Sequence, residues 1–198
     1  MHLLGITGGI GMGKSAAQDL LREKDVPVVD TDWLAHELVA PGQPALHEIV
    51  EAFGRELLDG SGCLRRGALA SLVFSNSEAR ARLESILHPR IRRRWMDEAE
   101  SWRGGGARLG AVVIPLLFET GAEASFDIII CVACGEATQH HRLTARGWDS
   151  VEISRRIAAQ WPVERKMAAA DYVVWTEGDM DLHRDQWARV IGAIEIGV

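Results

Sequence analysis

The stretch that decides the fold is "GITGGIGMGKSA", residues 5–16, which holds five glycines followed by a lysine and a serine. Within it, Gly8, Gly13, Lys14 and Ser15 form the pattern G-x-x-x-x-G-K-S of a phosphate-binding P-loop. The pattern follows the apolar run 2–6, typical of a buried strand, and leads into "SAAQDLLREK", which has helical spacing. Because a P-loop needs this strand–loop–helix context, the sequence predicts one here. An ordinary glycine-rich turn with an unrelated lysine is the alternative.

Each part of the loop predicts a contact with a nucleoside triphosphate. Glycine has no Cβ, so backbone N–H groups can close around phosphate oxygens, and the positive end of the next helix adds to the attraction. Lys14 would place its charge on the β- and γ-phosphates, and the Ser15 hydroxyl would bind Mg²⁺. The residues predicted to bind the nucleotide here are Gly8, Gly9, Gly11, Met12, Gly13, Lys14, Ser15 and Ala16.

Short apolar runs along the rest of the chain predict an α/β fold. The runs are nearly continuous, not alternating, which is typical of a parallel sheet covered on both faces. Helical patterns lie between them. The predicted strands are 2–6, 26–29, 111–117, 127–133 and 171–175.

Residues 33–103 interrupt this alternation, because they show helical spacing and no convincing strand. Segments 77–87 and 89–102 both have helical spacing, and Pro89 opens the second segment. The sequence therefore predicts a helical insertion between the second and third strands.

Composition limits the partners. The chain has 198 residues, a net charge of -6 and 47% apolar residues, so a nucleic-acid binder is disfavoured. No apolar run reaches the ~18 residues that a membrane span needs, and "MHLLGI" does not resemble a signal peptide. We expect a cytoplasmic protein with no membrane association, and we infer no obligate protein partner.

Cys131 and Cys134 form a C-x-x-C pair, with His140 and His141 shortly after it. A zinc or redox site is one interpretation of this spacing. A structural zinc site needs four ligands with paired spacing, and that pattern is missing here. The favoured interpretation is a buried strand in which cysteine packs as a small apolar residue.

Other motifs narrow the class of triphosphate enzyme. A GTPase needs N-K-x-D, but Asn76 is followed by serine, and the D-x-x-G at Asp59–Gly62 falls in a turn. An ATPase motor usually carries Asp-Glu at the end of an apolar strand, and no such pair is present. A small-molecule kinase fits best, with a nucleotide-binding regulatory module as the alternative from another class.

Two acids directly follow the second predicted strand, in "VVDTDWLAHELV". Ligands of open α/β sheets bind beyond the carboxyl ends of strands, so Asp30 and Asp32 are candidates near the phosphate loop. Such a carboxylate can accept a proton from an attacking hydroxyl or help to hold Mg²⁺. Helix N-capping is the competing interpretation for either residue.

Several motifs, in order along residues 3–178, resemble the dephospho-coenzyme A kinase family. They are "ITGGIGMGKS", "VVDTDWLAHELV", "PGQPALHEIVEAFG", "LRRGAL", "LHPRI", "VVIPLLFE", "QHHRLTARG", "RIAAQ" and "RKMAAADYVV". The P-loop is shared by many families, whereas the set D-x-D, H-P-x-I, P-L-L-x-E and A-D-x-V is far more specific.

The resemblance implies transfer of a phosphoryl group from ATP, with Mg²⁺, to the ribose 3′-hydroxyl of dephospho-CoA, the last step of coenzyme A synthesis. Another P-loop kinase, acting on a small molecule or nucleoside monophosphate, remains the neighbouring alternative. The resemblance also implies a P-loop core, a helical acceptor-binding insertion and a small helical lid. We place the core at 1–32, 111–136 and 161–198, the insertion at 33–110 and the lid at 137–160.

Residue roles follow from the same resemblance. Asp32 would be the general base, with Lys14 and Arg142 also catalytic, and Asp30 would have a structural role or bind Mg²⁺ through water. Arg142 and Arg146, four residues apart, would share one helical face of the lid and contact the nucleotide. The residues implied to bind the acceptor are Thr7, Asp32, His36, Arg65, His88, Leu117 and Glu119.

The chain departs from the family pattern at three places. Met12 replaces a small residue, His36 replaces an arginine that could bind phosphate with two hydrogen bonds, and "VVWTEG" replaces a common V-I-D-N-x-G. We expect little effect from Met12, because that position lends mainly its backbone N–H. The other two changes put a substrate-phosphate contact and the adenine contacts in question.

Overall fold

The computed structural model describes residues 1–196, except the side chains of residues 74 and 75. Five strands form one parallel sheet in the order β2-β3-β1-β4-β5. Their bounds are β1 His2–Thr7, β2 Val28–Asp30, β3 Leu109–Val113, β4 Ile128–Ala133 and β5 Tyr172–Trp175. Helices flank this sheet, so the predicted α/β fold of the P-loop type is confirmed.

Strand β1 lies at the centre of the sheet and carries the phosphate loop at its carboxyl end. Leu4 of β1 pairs with Ala111 of β3 on one side and with Ile128 of β4 on the other. The side chains of Leu4 and Ile6 are fully buried. Both faces of a parallel sheet are covered, which is why this strand is apolar at successive positions.

Strand β3 is shorter than the sequence predicted, because it ends at Val113 and not at Leu117. Pro115 has no N–H with which to continue the ladder. Its carbonyl instead accepts hydrogen bonds from the Thr7 hydroxyl at 3.3 Å and from the Lys166 ammonium at 2.6 Å. Residues 115–119 therefore form a turn beyond the end of the sheet.

Nine helices lie within residues 1–196, apart from short 3-10 turns. Their bounds are α1 Lys14–Arg22, α2 Thr31–Leu38, α3 Pro44–Phe53, α4 Arg66–Ser75, α5 Ser77–Gly104, α6 Glu136–Ala145, α7 Ser150–Ala158, α8 Val163–Ala169 and α9 Met180–Ile196. The helical character expected for 33–103 is confirmed, with one isolated antiparallel bridge between Leu58 and Leu64.

Helix α5 runs unbroken through Pro89, although Pro89 separated two helical segments in the sequence. Pro89 removes the hydrogen bond to the carbonyl of Ser85, but both residues are exposed, where water can satisfy that carbonyl. The Arg90 guanidinium also donates to the carbonyl of Ile86 at 2.6 Å and pairs with Glu48 of α3. These contacts support the helix where proline weakens it.

The chain divides into two compact units, Met1–Val29 with Trp102–Val198, and Asp30–Ser101. The larger unit is built on the sheet, where α9 packs against β5 and α1, and α8 packs against β4. Trp187 of α9 is fully buried in this core, and its indole N–H donates to His183 Nε2 at 3.2 Å. This tryptophan is therefore a core residue.

The unit Asp30–Ser101 has its own apolar core, formed by residues from its helices and the loop between α3 and α4. Ile49 is fully buried, and Arg82 lies over the ring of Phe53 at 5.8 Å. The buried members are Val39, Ala45, Ile49, Leu57, Leu69 and Ile86.

Cys131 and Cys134 pack as apolar residues. Cys131 lies in β4 with its side chain fully buried, and Cys134 packs with Met12 and Ala133. Burial raises the pKa of the Cys131 thiol to about 11 and also raises that of Cys134. The interpretation of a buried strand with cysteine as a small apolar residue is confirmed.

Across residues 1–196, no helix combines the length and the apolar character needed to cross a membrane.

Candidate active site

The phosphate loop joins the end of β1 to the start of α1. Gly8 and Gly11 adopt φ values of 146° and 75°, and Gly13 forms the N-cap of α1 at φ 95°. A Cβ on Gly8 would lie 2.2 Å from the carbonyl oxygen of Val132, so no side chain fits there. Gly13 offers no side chain to cap α1, so the positive end of the helix faces the loop. This arrangement suits an anion.

Lys14 folds back over the loop. Its ammonium donates to the carbonyl of Gly8 at 2.8 Å and to that of Gly9 at 2.9 Å. The residue is half-buried. Ser15, in the first turn of α1, is exposed, and Ala16 is half-buried. The loop therefore gathers a cation, a hydroxyl and a helix N-terminus at one place.

Met12 anchors the far side of the loop. Its side chain is 3% exposed and packs against Cys134, with Val163 and Met167 beside it. Its carbonyl accepts a hydrogen bond from the Thr176 hydroxyl at 3.0 Å. The sequence predicted a backbone role at this position, and the structure adds packing by the side chain.

Arg142 of α6 connects the loop to the segment after β5. Its guanidinium donates to the Thr176 hydroxyl at 2.8 Å and lies 3.5 Å from the Gly11 carbonyl. Helix α6 ends at Ala145, and the exposed Arg146 is its C-cap residue. That the two arginines share one helical face of the lid stays a prediction.

Glu177 fixes the start of α6. Its carboxylate accepts hydrogen bonds from the Gly135 N–H at 2.8 Å and from the Thr138 hydroxyl at 3.0 Å. These bonds, together with that from the Trp175 indole, lower the pKa of Glu177. "VVWTEG" thus supplies its own helix-capping carboxylate where the family pattern differs.

Glu119 takes part in a buried ion pair. Its Oε1 lies 2.8 Å from the ammonium of Lys166 and accepts the Trp161 N–H at 2.8 Å. Lys166 is fully buried, and its second contact is the Pro115 carbonyl. Glu119 Oε2 is buried without a hydrogen-bond partner among the described residues. The pair ties the turn after β3 to the start of α8.

Thr7 and Leu117, both expected to bind the acceptor, have fully buried side chains. The Thr7 hydroxyl bonds to the Pro115 carbonyl. Leu117 packs so closely on β1 that a Cβ on Gly5 would lie 2.8 Å from its Cδ1. In this structure both side chains support the core, which leaves their backbone groups for any substrate contact.

Asp30 and Asp32 open the unit Asp30–Ser101. Asp30 is the N-cap of α2, with its Oδ1 accepting the Asp32 N–H at 2.8 Å. Asp32 is exposed in the first turn of α2. Capping makes the chain turn into a helix directly after Asp30.

The remaining acceptor candidates lie in the same unit. His36 is exposed one turn after Asp32 on α2, at a spacing that brings helical side chains together. Its carbonyl accepts from the Arg66 guanidinium at 3.4 Å. Arg65 is the exposed N-cap of α4, and His88 is exposed on α5. The structure thus links α2 to Arg66, whereas the sequence favoured Arg65.

A pocket of about 500 Å³ opens beside the phosphate loop within the larger unit. Its lining is mostly apolar, with several polar side chains. The lining includes Gly9, Met12, Cys134, Glu136, Gln139, Gln160, Trp161, Glu164, Met167 and Trp175.

Several site residues were not predicted from the sequence. Gln139 and Gln160 both bond to the backbone of Ile10 in the loop. Gln160 lies in "RIAAQ" and Lys166 in "RKMAAADYVV", two of the segments that carry the family resemblance. Those segments were the available signal, but residue type alone did not point to a role.

The parallel sheet, the phosphate loop after its central strand and the lysine on that loop define a P-loop kinase. The sequence model described as dephospho-CoA kinase matches residues 2–181. The chain belongs to the dephospho-CoA kinase family.

Individual relatives agree with this assignment. The dephospho-CoA kinase of Bdellovibrio bacteriovorus is 41% identical over 179 residues, covering 90% of this chain and 89% of that protein. A crystal structure of a Thermus thermophilus protein has a TM-score of 0.84 at 35% identity, covering 97% of this chain and 96% of that one. Dephospho-CoA kinase from Campylobacter jejuni has a TM-score of 0.73 at 25% identity, covering 98% of each chain.

Proposed function

We propose that the chain transfers the γ-phosphoryl group of ATP to the ribose 3′-hydroxyl of dephospho-CoA, giving ADP and coenzyme A. The observation that carries the proposal is the family match over residues 2–181, which includes the phosphate loop and the whole unit Asp30–Ser101. The P-loop geometry supports ATP as the phosphoryl donor, and membership of the family supports dephospho-CoA as the acceptor.

The phosphate loop would bind the triphosphate of ATP. The N–H groups around Gly11, Gly13 and the start of α1 surround the phosphates, and Lys14 neutralises charge that develops on the β- and γ-phosphates. In the structure the Lys14 ammonium already lies over the loop, 2.8 Å from the Gly8 carbonyl. A short shift of a flexible side chain is enough to place it on the phosphates.

Asp32 would act as the general base. Its carboxylate takes the proton of the 3′-hydroxyl as the ribose oxygen bonds to the γ-phosphorus, while the bond from that phosphorus to the β–γ bridging oxygen breaks and ADP leaves. Two features of α2 support this role: Asp32 is exposed, and the Asp30 cap fixes the first helical turn. Asp30 then serves mainly as a cap.

The unit Asp30–Ser101 would bind the rest of the acceptor. Its exposed cations and imidazoles, Arg65, Arg66, His36 and His88, suit the phosphates of dephospho-CoA. The contact between Arg66 and α2 favours Arg66 as a phosphate ligand beside His36. An arginine there can make the bidentate hydrogen bonds to phosphate that the imidazole of His36 cannot make.

The start of α1 fits Mg²⁺ as the companion of ATP. Mg²⁺ is held by few protein groups and completes its shell with phosphate oxygens and water. The exposed Ser15 hydroxyl is such a group, and no cluster of three or more His, Cys, Asp or Glu side chains able to hold a metal occurs among the described residues. When bound, the ion would neutralise phosphate charge.

The segment 137–160 would serve as the lid over the phosphates. Arg142 contacts both the loop and Thr176, and the exposed Arg146 can turn toward a bound nucleotide. Two cations over the γ-phosphate would neutralise charge in transfer and exclude water.

A coupled assay of ADP release tests the proposal. The purified chain is supplied with ATP and Mg²⁺, and with dephospho-CoA, nucleoside monophosphates or no acceptor. We expect rapid ADP release only with dephospho-CoA, together with phosphorylation at the 3′-oxygen. Equal release with a nucleoside monophosphate would indicate another kinase. Nucleotide binding without release on any acceptor would indicate a regulatory module.

A further inference from the structure

Two glutamine side chains hold the backbone of one phosphate-loop residue, Ile10, at both of its polar atoms. These atoms belong to the two adjacent peptide groups that meet at the Ile10 Cα. Gln139 Nε2 donates to the carbonyl oxygen of Ile10 at 2.7 Å. The N–H of Ile10 donates to Gln160 Oε1 at 3.0 Å. Ile10 lies between Gly9 and Gly11, in the part of the loop that follows its first glycines.

The two glutamines come from different elements of the segment after β4. Gln139 belongs to α6 and is only 5% exposed, and Gln160 follows the end of α7 and is half-buried. Gln139 also lies close to Gly9, the residue before Ile10, because a Cβ on Gly9 would lie 3.4 Å from its Nε2. The segment 137–160 is therefore bonded to the loop at both of its ends.

These bonds act on a backbone that is rich in glycine. Glycine pays the largest conformational cost on ordering, and Gly8, Gly11 and Gly13 all have positive φ. A loop that must order its peptides when the ligand arrives loses affinity by that cost. Side-chain hydrogen bonds that fix the Ile10 backbone beforehand remove part of this cost.

We propose that Gln139 and Gln160 are positioning residues for the nucleoside triphosphate. They restrain the two peptide groups on either side of the Ile10 Cα, so that the loop N–H groups already point at the site of the phosphates. They act through the loop and do not touch the substrate. The proposal rests on the proposed function in one respect, which is that the ligand of the phosphate loop is a nucleoside triphosphate.

The chain offers a matched control away from the pocket. The Asp127 carboxylate accepts a hydrogen bond from the Leu3 N–H at 2.7 Å. Leu3 lies near the start of β1, at the opposite end of that strand from the phosphate loop. Asp127→Leu therefore also removes one side-chain hydrogen bond to the backbone, at a different place.

The experiment compares Gln139→Leu, Gln160→Leu, the double variant and Asp127→Leu. Binding of a non-hydrolysable ATP analogue is measured by calorimetry, and the KM values for ATP and dephospho-CoA are measured separately. Loss of one hydrogen bond to the loop is expected to weaken analogue binding by about 5- to 10-fold. The KM for dephospho-CoA should change by less than about 2-fold, as should analogue binding to Asp127→Leu.

The double variant tests whether the glutamines act on the same part of the loop. Because both bonds restrain the backbone of Ile10, their combined loss should be smaller than the product of the single losses. Gln160 is half-buried, so Gln160→Leu keeps the test available if Gln139→Leu fails to fold.

Two results would overturn the positioning role. One is unchanged analogue binding in folded Gln139→Leu and Gln160→Leu proteins whose melting temperatures have fallen. The other is an equal loss of binding in Asp127→Leu. Failure of the proposed function looks different, because wild-type protein would then bind the analogue tightly and transfer nothing to dephospho-CoA.

Discussion

At the scale of single residues, Lys14 is the cation that the proposed chemistry depends on most. Its ammonium bonds to the Gly8 and Gly9 carbonyls, so the side chain is already directed across the loop. Lys14→Ala should lower kcat by about 100-fold or more, because charge developing on the phosphates is no longer neutralised.

Steady-state kinetics of Lys14→Ala, with circular dichroism to confirm folding, checks this expectation. Lys24→Ala is the matched control, because Lys24 is exposed beyond the other end of α1. A Lys14→Ala protein that keeps a tenth of the wild-type kcat would contradict the assigned role.

The second residue-scale prediction separates Asp32 from Asp30. Asp32→Asn preserves shape but removes basicity, so kcat should fall by about 10²- to 10⁴-fold while ATP affinity barely changes. Asp30→Asn should be mild, because asparagine is as good an N-cap as aspartate. Single-turnover rates and ATP binding measure both effects. If Asp30→Asn is the more damaging change in a folded protein, the two roles are exchanged.

Sequence reasoning found these residues because each belongs to a motif with a known spacing. It did not predict the hydrogen bonds that position the loop and these residues. The Asp30 cap was only one of two interpretations, and the contacts of Gln139 and Gln160 with Ile10 join residues far apart in the chain. No local pattern encodes such pairs, since they depend on where α6 and α7 pack.

At the scale of elements, the next prediction concerns Cys131 in β4 and Cys134 directly after it. Cys131→Ala and Cys134→Ala should keep nearly full activity, and a zinc-selective chelator should have no effect when Mg²⁺ is supplied. Burial and the raised pKa of Cys131 should also make it slow toward thiol reagents, whereas Cys63 is half-buried and should react sooner.

Activity, elemental analysis and thiol titration of the native protein measure these outcomes. Stoichiometric zinc in the purified protein, lost together with activity in Cys134→Ala, would show that the packing interpretation is incomplete.

The strands and helices were largely predictable, because hydrophobic periodicity reports burial directly. The errors lay at two prolines, because Pro115 was included in the predicted strand 111–117 and Pro89 was taken as a boundary between helical segments. Pro115 ends β3 earlier than the apolar run suggested, whereas Pro89 sits on an exposed face of α5 without ending the helix. Burial of the groups around a proline decides between these outcomes, and sequence periodicity does not report it.

At the scale of the whole molecule, the buried His183 links stability to pH. Burial lowers the pKa of His183, whose Nε2 accepts the Trp187 indole N–H. The unfolded chain therefore binds this proton more readily, near the usual pKa of about 6.5. The stabilisation is complete above that pH and is lost as pH falls toward the lower pKa of the folded state.

Urea unfolding of wild type and His183→Gln at a series of pH values tests this. Glutamine can still accept from Trp187 but does not titrate, so its free energy of unfolding should fall less steeply below about pH 6.5. The other histidines are common to both proteins and cancel in the difference. Identical slopes would exclude His183 as the source.

The fold class could be predicted because the P-loop and the strand runs lie in local sequence. The subdivision into two units was harder, since Asp30–Ser101 is defined by contacts within its own core. The observed boundaries lie inside the sequence of "VVDTDW" and near the end of α5, where composition changes little. Functional roles for the insertion and the lid stay predictions.

The order of the strands has a consequence for synthesis on the ribosome. Strand β1 leaves the ribosome first, yet its partners are β3 and β4, which follow the entire unit Asp30–Ser101. That helical unit is continuous in sequence, so it can fold while the apolar β1 is still unpaired. The phosphate loop, whose Gly8 packs against Val132, can take its shape only after β4 has been made. A nascent chain stalled before residue 128 therefore carries a formed helical unit and no nucleotide site.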